Sequence, residues 1–174
     1  MVKILVNRTV IPGPPTSTAV FSDDMLYRYT LERVWAPSKG RCAFVGLNPS
    51  TADEIKNDPT VARCINYAKV WGYGALVMLN AFALRSTDPK ALYSCEDPVG
   101  AENDKWILHE AGKAAIVVGA WGTHCKLHDR HQQLIGLLHG LHCLGTTKDG
   151  YPRHPLYLKK TETPVAYVDP KPGS

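Results

Sequence analysis

No stretch of this sequence stays apolar for long. None approaches the ~20 residues that a membrane-spanning helix requires, so no membrane partner is expected. The N-terminus, MVKILVNRTVIPG, lacks the apolar core of roughly 7–15 residues that marks a secretory signal, and a cytoplasmic location is the expectation. Cysteine is sparse and odd in number: Cys42, Cys64, Cys95, Cys125 and Cys143 are scattered. That excludes a fully paired disulfide framework and suits reduced, mostly buried thiols. No CxxC…CxxC zinc pattern occurs, and no motif asks for a cofactor. Internal repeats and low-complexity tracts are also lacking. Residues 1–174 are therefore expected to form a single domain, with an irregular lead-in over 1–20 and an irregular tail over 160–174. Charge of one sign is only slightly in excess. The net charge of +4 suits a polyanionic partner without requiring one.

What is present is an ordinary globular composition, 44% hydrophobic and 21% charged, in a chain of 174 residues. That length is enough for a full core. IPGPPTST is rich in turn formers. LYRYTLERVW then alternates, with Tyr27, Tyr29, Leu31 and Trp35 on one face and Arg28, Thr30 and Glu32 on the other. This predicts an antiparallel strand near a sheet edge. Residues 37–40 read as a turn. CAFVG (42–46), ALVMLN (75–80), AAIVVGAWG (114–122) and LHCLG (141–145) read as four buried strands. Asp58-Pro59 is an N-cap followed by proline at the first helical position. Val61, Cys64, Ile65, Ala68 and Trp71 recur at helical spacing, and Gly72 or Gly74 ends that helix. Helices are also expected over 99–112, with Trp106, Ile107 and Ala111 inward, and over 124–139.

Strands alternating with helices imply crossover connections. The expected fold class is α/β: a three-layer α/β/α sandwich around a central, mostly parallel four-stranded sheet, with an N-terminal antiparallel edge strand. In such sheets ligands bind beyond the carboxyl ends of the strands. Here those ends are 46–50, 80–85, 119–124 and the segment after Gly145.

The run LNPSTADEIKNDPTVARCINYAKVWGYGALVMLNAFALRSTDPKAL resembles the signature of the domain of unknown function 1643 family, and the likeness extends from FSDDMLYRYTLERVW to HPLYL. A more distant resemblance is to the uracil-DNA glycosylase superfamily, in its Asn-bearing, mismatch-specific branch. Gly46-Leu47-Asn48-Pro49 stands where that superfamily has Gly-x-Asp/Asn-Pro. LVMLNAFALR offers Asn80 and Arg85 in the place of a base-reading Asn and its following Arg. VVGAWGTH supplies a Gly-aromatic-Gly type of turn, and His154-Pro155-Leu156 stands for the final His-Pro motif. This chain has Asn48 where the strongest glycosylases carry Asp, and Leu156 where His-Pro-Ser is usual. Its five cysteines do not form the iron–sulfur pattern.

The resemblance implies hydrolysis of an N-glycosidic bond in DNA, the base being flipped into a pocket. Asn48 would position a water or the sugar, and His154 would donate to the departing base. Asp53 is the candidate carboxylate if a base is needed, with Asp58 as the other choice. Gly46, Leu47, Pro49, Ser50, Asn80 and Phe82 would form the base pocket. Arg85, Gly122, Thr123, Arg153 and Lys159 would contact phosphate or nucleic acid. Each has a plainer reading. Asn48-Pro49-Ser50 also fits a turn, Ser50 to Asp53 a capping box, Asp58 a helix cap, and Arg85 a partner for Asp88. His124, Cys125, His128 and His131 have i, i+4 spacing for a metal, but His131 also fits a core position. Lys126, Arg130, Lys148, Arg153, Lys159 and Lys160, with Tyr151 and Tyr157 among them, suit either a phosphate-tracking surface or a solvated face. A non-catalytic DNA- or nucleotide-binding module and an enzyme acting on a free nucleotide or nucleoside are the alternatives.

Overall fold

The computed structural model describes residues 2–8 and 16–170. Its strands are β1 (Val2–Arg8), β2 (Thr16–Ser22), β3 (Arg28–Val34), β4 (Arg41–Gly46), β5 (Ala75–Asn80), β6 (Ile116–Gly119), β7 (His142–Cys143) and β8 (Val165–Ala166). Its helices are α1 (Pro59–Val70), α2 (Ala91–Ser94), α3 (Asn103–Ala111) and α4 (Arg130–Leu137). All eight strands join one sheet in the order β1-β2-β3-β5-β4-β6-β7-β8.

This overturns the expected architecture. The sheet is mixed, and four of its seven pairings are antiparallel. It is not a four-stranded parallel sheet at the centre of a three-layer sandwich. Residues 1–20, expected to be irregular, contain β1 and most of β2, which pair antiparallel. The turn-rich residues 11–15 lie outside the described residues, as do 171–174 of the tail. β3 is antiparallel, as its alternation suggests, but it is no edge: β2 flanks it on one side and β5 on the other. Its polar face misled because that face is covered. Arg28 and Thr30 of that face are buried, and Arg28 donates to the Ala52 carbonyl at 2.6 Å in the loop that lies over it. The tail is not wholly irregular either, since β8 adds to β7.

The sheet buries side chains on both faces because successive residues of a strand point opposite ways. Cys42 and Phe44 of β4 pack with Val61, Cys64, Tyr67 and Ala68 of α1. Ala43 and Val45 pack with Ile107 of α3 and Leu134 of α4. Each fully buried large apolar side chain contributes ~1.5–3 kcal/mol. α1 begins as read: Asp58 accepts from the Val61 N–H at 2.9 Å, and Pro59 opens the helix. The helix expected over 124–139 does not form as one piece. Thr123–Asp129 is a 3-10 segment interrupted at Leu127 and His128, and α4 starts only at Arg130. His128 and Asp129 take left-handed backbone angles, which a continuous helix forbids. No helix among the described residues is long and apolar enough to cross a membrane. All five cysteines are free.

Candidate functional site

β5, β4 and β6 run parallel in register, so Gly46 stands beside Asn80 and Val45 beside Gly119. Three strands thus end level, and the chain leaves each in a different direction. Between those exits lies a cleft of about 510 Å³, within the range of small-molecule sites. Gly46, Leu47, Asn48 and Ser50 enter it from β4, Asn80 from β5, and Trp121, Gly122 and Thr123 from β6. Asp58, Thr60 and Val61 bring the N-terminus of α1 to the same place, and Arg153 and His154 arrive from the tail.

The tail reaches the cleft because α1 holds it. Arg63 donates to the Leu158 carbonyl at 2.7 Å, Tyr67 to that of Lys159, and Trp71 to that of Glu162 at 3.0 Å. His154 caps a short 3-10 turn, its Nδ1 accepting from the Leu156 N–H at 3.4 Å. An accepting Nδ1 leaves the proton of the neutral ring on Nε2. Burial lowers the His154 pKa, with nearby Asp58 pulling the other way. The ring is therefore neutral at pH 7 and still offers an N–H.

Asn80 is 2% exposed, and its Nδ2 has no hydrogen-bond partner. A side chain at position 46 would crowd it, because a Cβ there would lie 3.2 Å from Asn80 Oδ1. The main chain around Asn80 is held separately: Asn103, itself fully buried, donates to the carbonyls of Asn80 and Ala81 at 3.0 and 3.2 Å. An unpaired buried amide costs ~1–3 kcal/mol until something bonds it. With no partner to fix its rotation, it can present a donor and an acceptor to a ligand.

A family model described as a protein of unknown function (DUF1643) matches residues 28–156. The chain belongs to the DUF1643 family. The matched span runs from Arg28 through Leu156 and so takes in every residue named above at the cleft. No curated protein and no solved structure matches the chain.

Other residues expected at the site lie elsewhere in this DUF1643 protein. Asp53 is not in the cleft. Its Oδ1 accepts from the N–H groups of Ile55 and Lys56 at 2.8 and 2.7 Å, closing its own loop, and those bonds hold its carboxyl below the usual range. The carboxylate that does line the cleft is Asp58. Phe82 is fully buried in the core beside Ile107. Pro49 is buried and gives its carbonyl to Ser86. Arg85 turns away, donating to the Met25 carbonyl and lying 4.9 Å from the Phe21 ring centre. The Lys159 side chain is exposed and outside the cleft. Asn48 lines it, but its Nδ2 is committed to the carbonyls of Pro49, Leu84 and Ser86 at 3.0–3.2 Å. Only its Oδ1 remains for a ligand or water.

The histidine cluster is broken up by the kink before α4. His131 accepts at Nδ1 from the Trp121 indole N–H at 3.0 Å, and its Nε2 lies 3.2 Å from the Tyr167 hydroxyl. It braces the wall of the cleft. No group of three or more His, Cys, Asp or Glu side chains among the described residues is placed to hold a metal. Arg28 and Asn103 escaped the sequence reading. Arg28 reads as the polar face of an edge strand, and Asn103 falls within the helix expected over 99–112 without being singled out.

Proposed function

We propose that the cleft receives a nucleobase and that the protein hydrolyses the N-glycosidic bond holding it, in the manner of a DNA glycosylase. The observation that carries this reading is the unpaired, buried amide of Asn80 in one cleft with His154 and Asp58. The motif order from Gly46 through Asn80 and Gly122 to His154 supports DNA as the bearer of the base. In the reaction the bond from C1′ to the base nitrogen breaks and a water oxygen bonds to C1′. Asp58 accepts the proton that the water loses. Asn80 bonds the base edge, and Nε2–H of His154 stabilises the charge on the departing base. Asp58 replaces Asp53 in this scheme because it is the carboxylate at the cleft.

The test uses oligonucleotides carrying uracil, hydroxymethyluracil or mismatched thymine, with alkali-labile abasic sites as the readout. Cleavage should fall at least roughly 100-fold in Asn80→Ala and in His154→Ala, as expected when a positioned acid–base or binding group is removed. Activity that survives both substitutions together would sink these roles.

A second reading is a binding module without chemistry. Asn48 favours it, since an amide cannot take up the proton of an attacking water and its nitrogen is already spent on three carbonyls. Salt-sensitive DNA binding without abasic sites would select that reading.

A further inference from the structure

Arg28 opens β3, where its N–H donates to the Ala83 carbonyl at 2.9 Å. Its side chain runs into the wall of the cleft and is 2% exposed. The guanidinium has five N–H donors. One of its nitrogens, Nη1, donates to the Ala52 carbonyl at 2.6 Å, while Nε is buried without a partner. The other arginines of the interior are better served. Arg41 pairs with Glu32 and Glu110, although its Nε is also buried without a partner. Arg130 pairs with Asp104 and also bonds the Ala81 carbonyl. Arg33 bonds Asn57 and three carbonyls. Arg28 makes no ion pair among the described residues. Burial lowers its pKa to about 10, so it remains a cation at neutral pH. Asp58 is the largest source of attraction, with a smaller contribution from Asp53, and Arg85 and Arg33 oppose it with repulsion.

A buried cation with unused donors calls for an anion. The surroundings suit one. Among the lining residues Arg28 and Arg153 are cationic and Asp58 is the one carboxylate. The twelve-residue α1 starts here, and the N–H of Thr60 has no acceptor within the helix. The positive end of the helix dipole adds to the attraction. Ser50 and Thr87 also line the cleft, and hydroxyl donors suit a group with several acceptor oxygens.

We propose that Arg28, Arg153 and the first turn of α1 form a subsite for a phosphate monoester of the ligand. The inference rests on the nucleobase reading only for what the phosphate is attached to. A free mononucleotide and the 5′-phosphorylated end of a strand both supply this group. An internal phosphodiester carries one charge instead of nearly two and has a chain on either side, so it is the poorer match.

The test compares binding of deoxyuridine, its 5′-monophosphate, inorganic phosphate, and a short oligonucleotide with and without a 5′-phosphate, by titration calorimetry. The monophosphate should bind roughly 10- to 100-fold tighter than the nucleoside, the range expected for charge-assisted hydrogen bonds. That preference should disappear in Arg28→Gln and persist in part in Arg28→Lys, with circular dichroism confirming that both variants fold. Asn80→Ala should weaken nucleoside and nucleotide alike and leave the preference standing. If the wild type binds nucleoside and monophosphate equally, the subsite is refuted while the base pocket survives. If inorganic phosphate binds through Arg28 but no base adds affinity, the subsite stands and the nucleobase reading fails. Advantage confined to the free monophosphate names a mononucleotide as the ligand; advantage shared by the 5′-phosphorylated strand names a strand end. Phosphate binding unchanged in Arg28→Gln overturns the proposal.

Discussion

Arg28 and Arg130 are buried alike, 2% and 1% exposed, yet their surroundings differ completely. Around Arg130, between α3 and α4, the protein supplies a carboxylate, a carbonyl and a side-chain amide. At the cleft it supplies Arg28 with a single carbonyl. Asn103 and Asn80 repeat the contrast: the first is bonded to two carbonyls, and the second has an amide nitrogen with no partner. Behind the sheet the buried charge is paired, although Asn103 Oδ1 and Trp106 Nε1 are also buried without partners. The cleft leaves a buried cation without an ion pair and an amide nitrogen without an acceptor, at a cost in stability, and both stand where a ligand could bond them.

The largest test of this contrast pairs the two arginines. Arg130→Met strands the Ala81 carbonyl and removes the partner of Asp104. It should destabilise the protein by about 3 kcal/mol in chemical denaturation, the low end for a broken buried pair, because Asp104 is half exposed and water screens it. Arg28→Met loses one hydrogen bond but relieves an unpaired buried charge. Its stability should stay within about 1 kcal/mol of wild type, or exceed it. Equal losses in the two variants would erase the distinction.

The asparagines give a smaller effect. Asn103→Ala should cost ~1–3 kcal/mol, since two buried carbonyls lose their donor. Asn80→Ala should change stability by less than about 1 kcal/mol, because it breaks no bond, while it weakens ligand binding. A loss at Asn80 matching that at Asn103 would mean its amide is satisfied in the free protein.

The smallest effect concerns pH. Burial lowers the pKa of both His131 and His154 from the ordinary 6.5. The unfolded chain then binds protons more readily than the folded one. Stability is complete above the ordinary value and falls as pH drops below it toward the folded-state values. The denaturation midpoint should therefore be lower at pH 5 than at pH 7.5, and His131→Phe should flatten part of that slope. A midpoint that rises on acidification would contradict the burial of neutral imidazoles.

Local pattern carried some of this into view. Short apolar runs mark β4 and β5, Asp58-Pro59 marks the start of α1, and Asn48, Asn80 and His154 do line one cleft. Other parts were hidden for identifiable reasons. Alternation in β3 reads Arg28 as solvent-facing, because nothing local reveals that the loop carrying Ala52 folds over it. TSTAVFS was masked by the turn formers before it, so the antiparallel side of the sheet was undercounted. Helical spacing from 124 onward ignored the left-handed pair His128 and Asp129. Arg85 and Phe82 follow Asn80 closely in sequence, but one packs over Phe21 and the other enters the core.

The sequence by itself determined the parallel succession of β4, β5 and β6, the cap of α1, and the chemistry present where those elements end. These depend on hydrophobic runs and on interactions a few residues apart. Only the tertiary structure decided which polar groups are satisfied and which are left waiting. Arg28 meets Ala52 across 24 positions, and Arg63 anchors the tail at Leu158 across 95. Partners so distant in the chain are chosen by the packing of the whole sheet, and no local pattern records them.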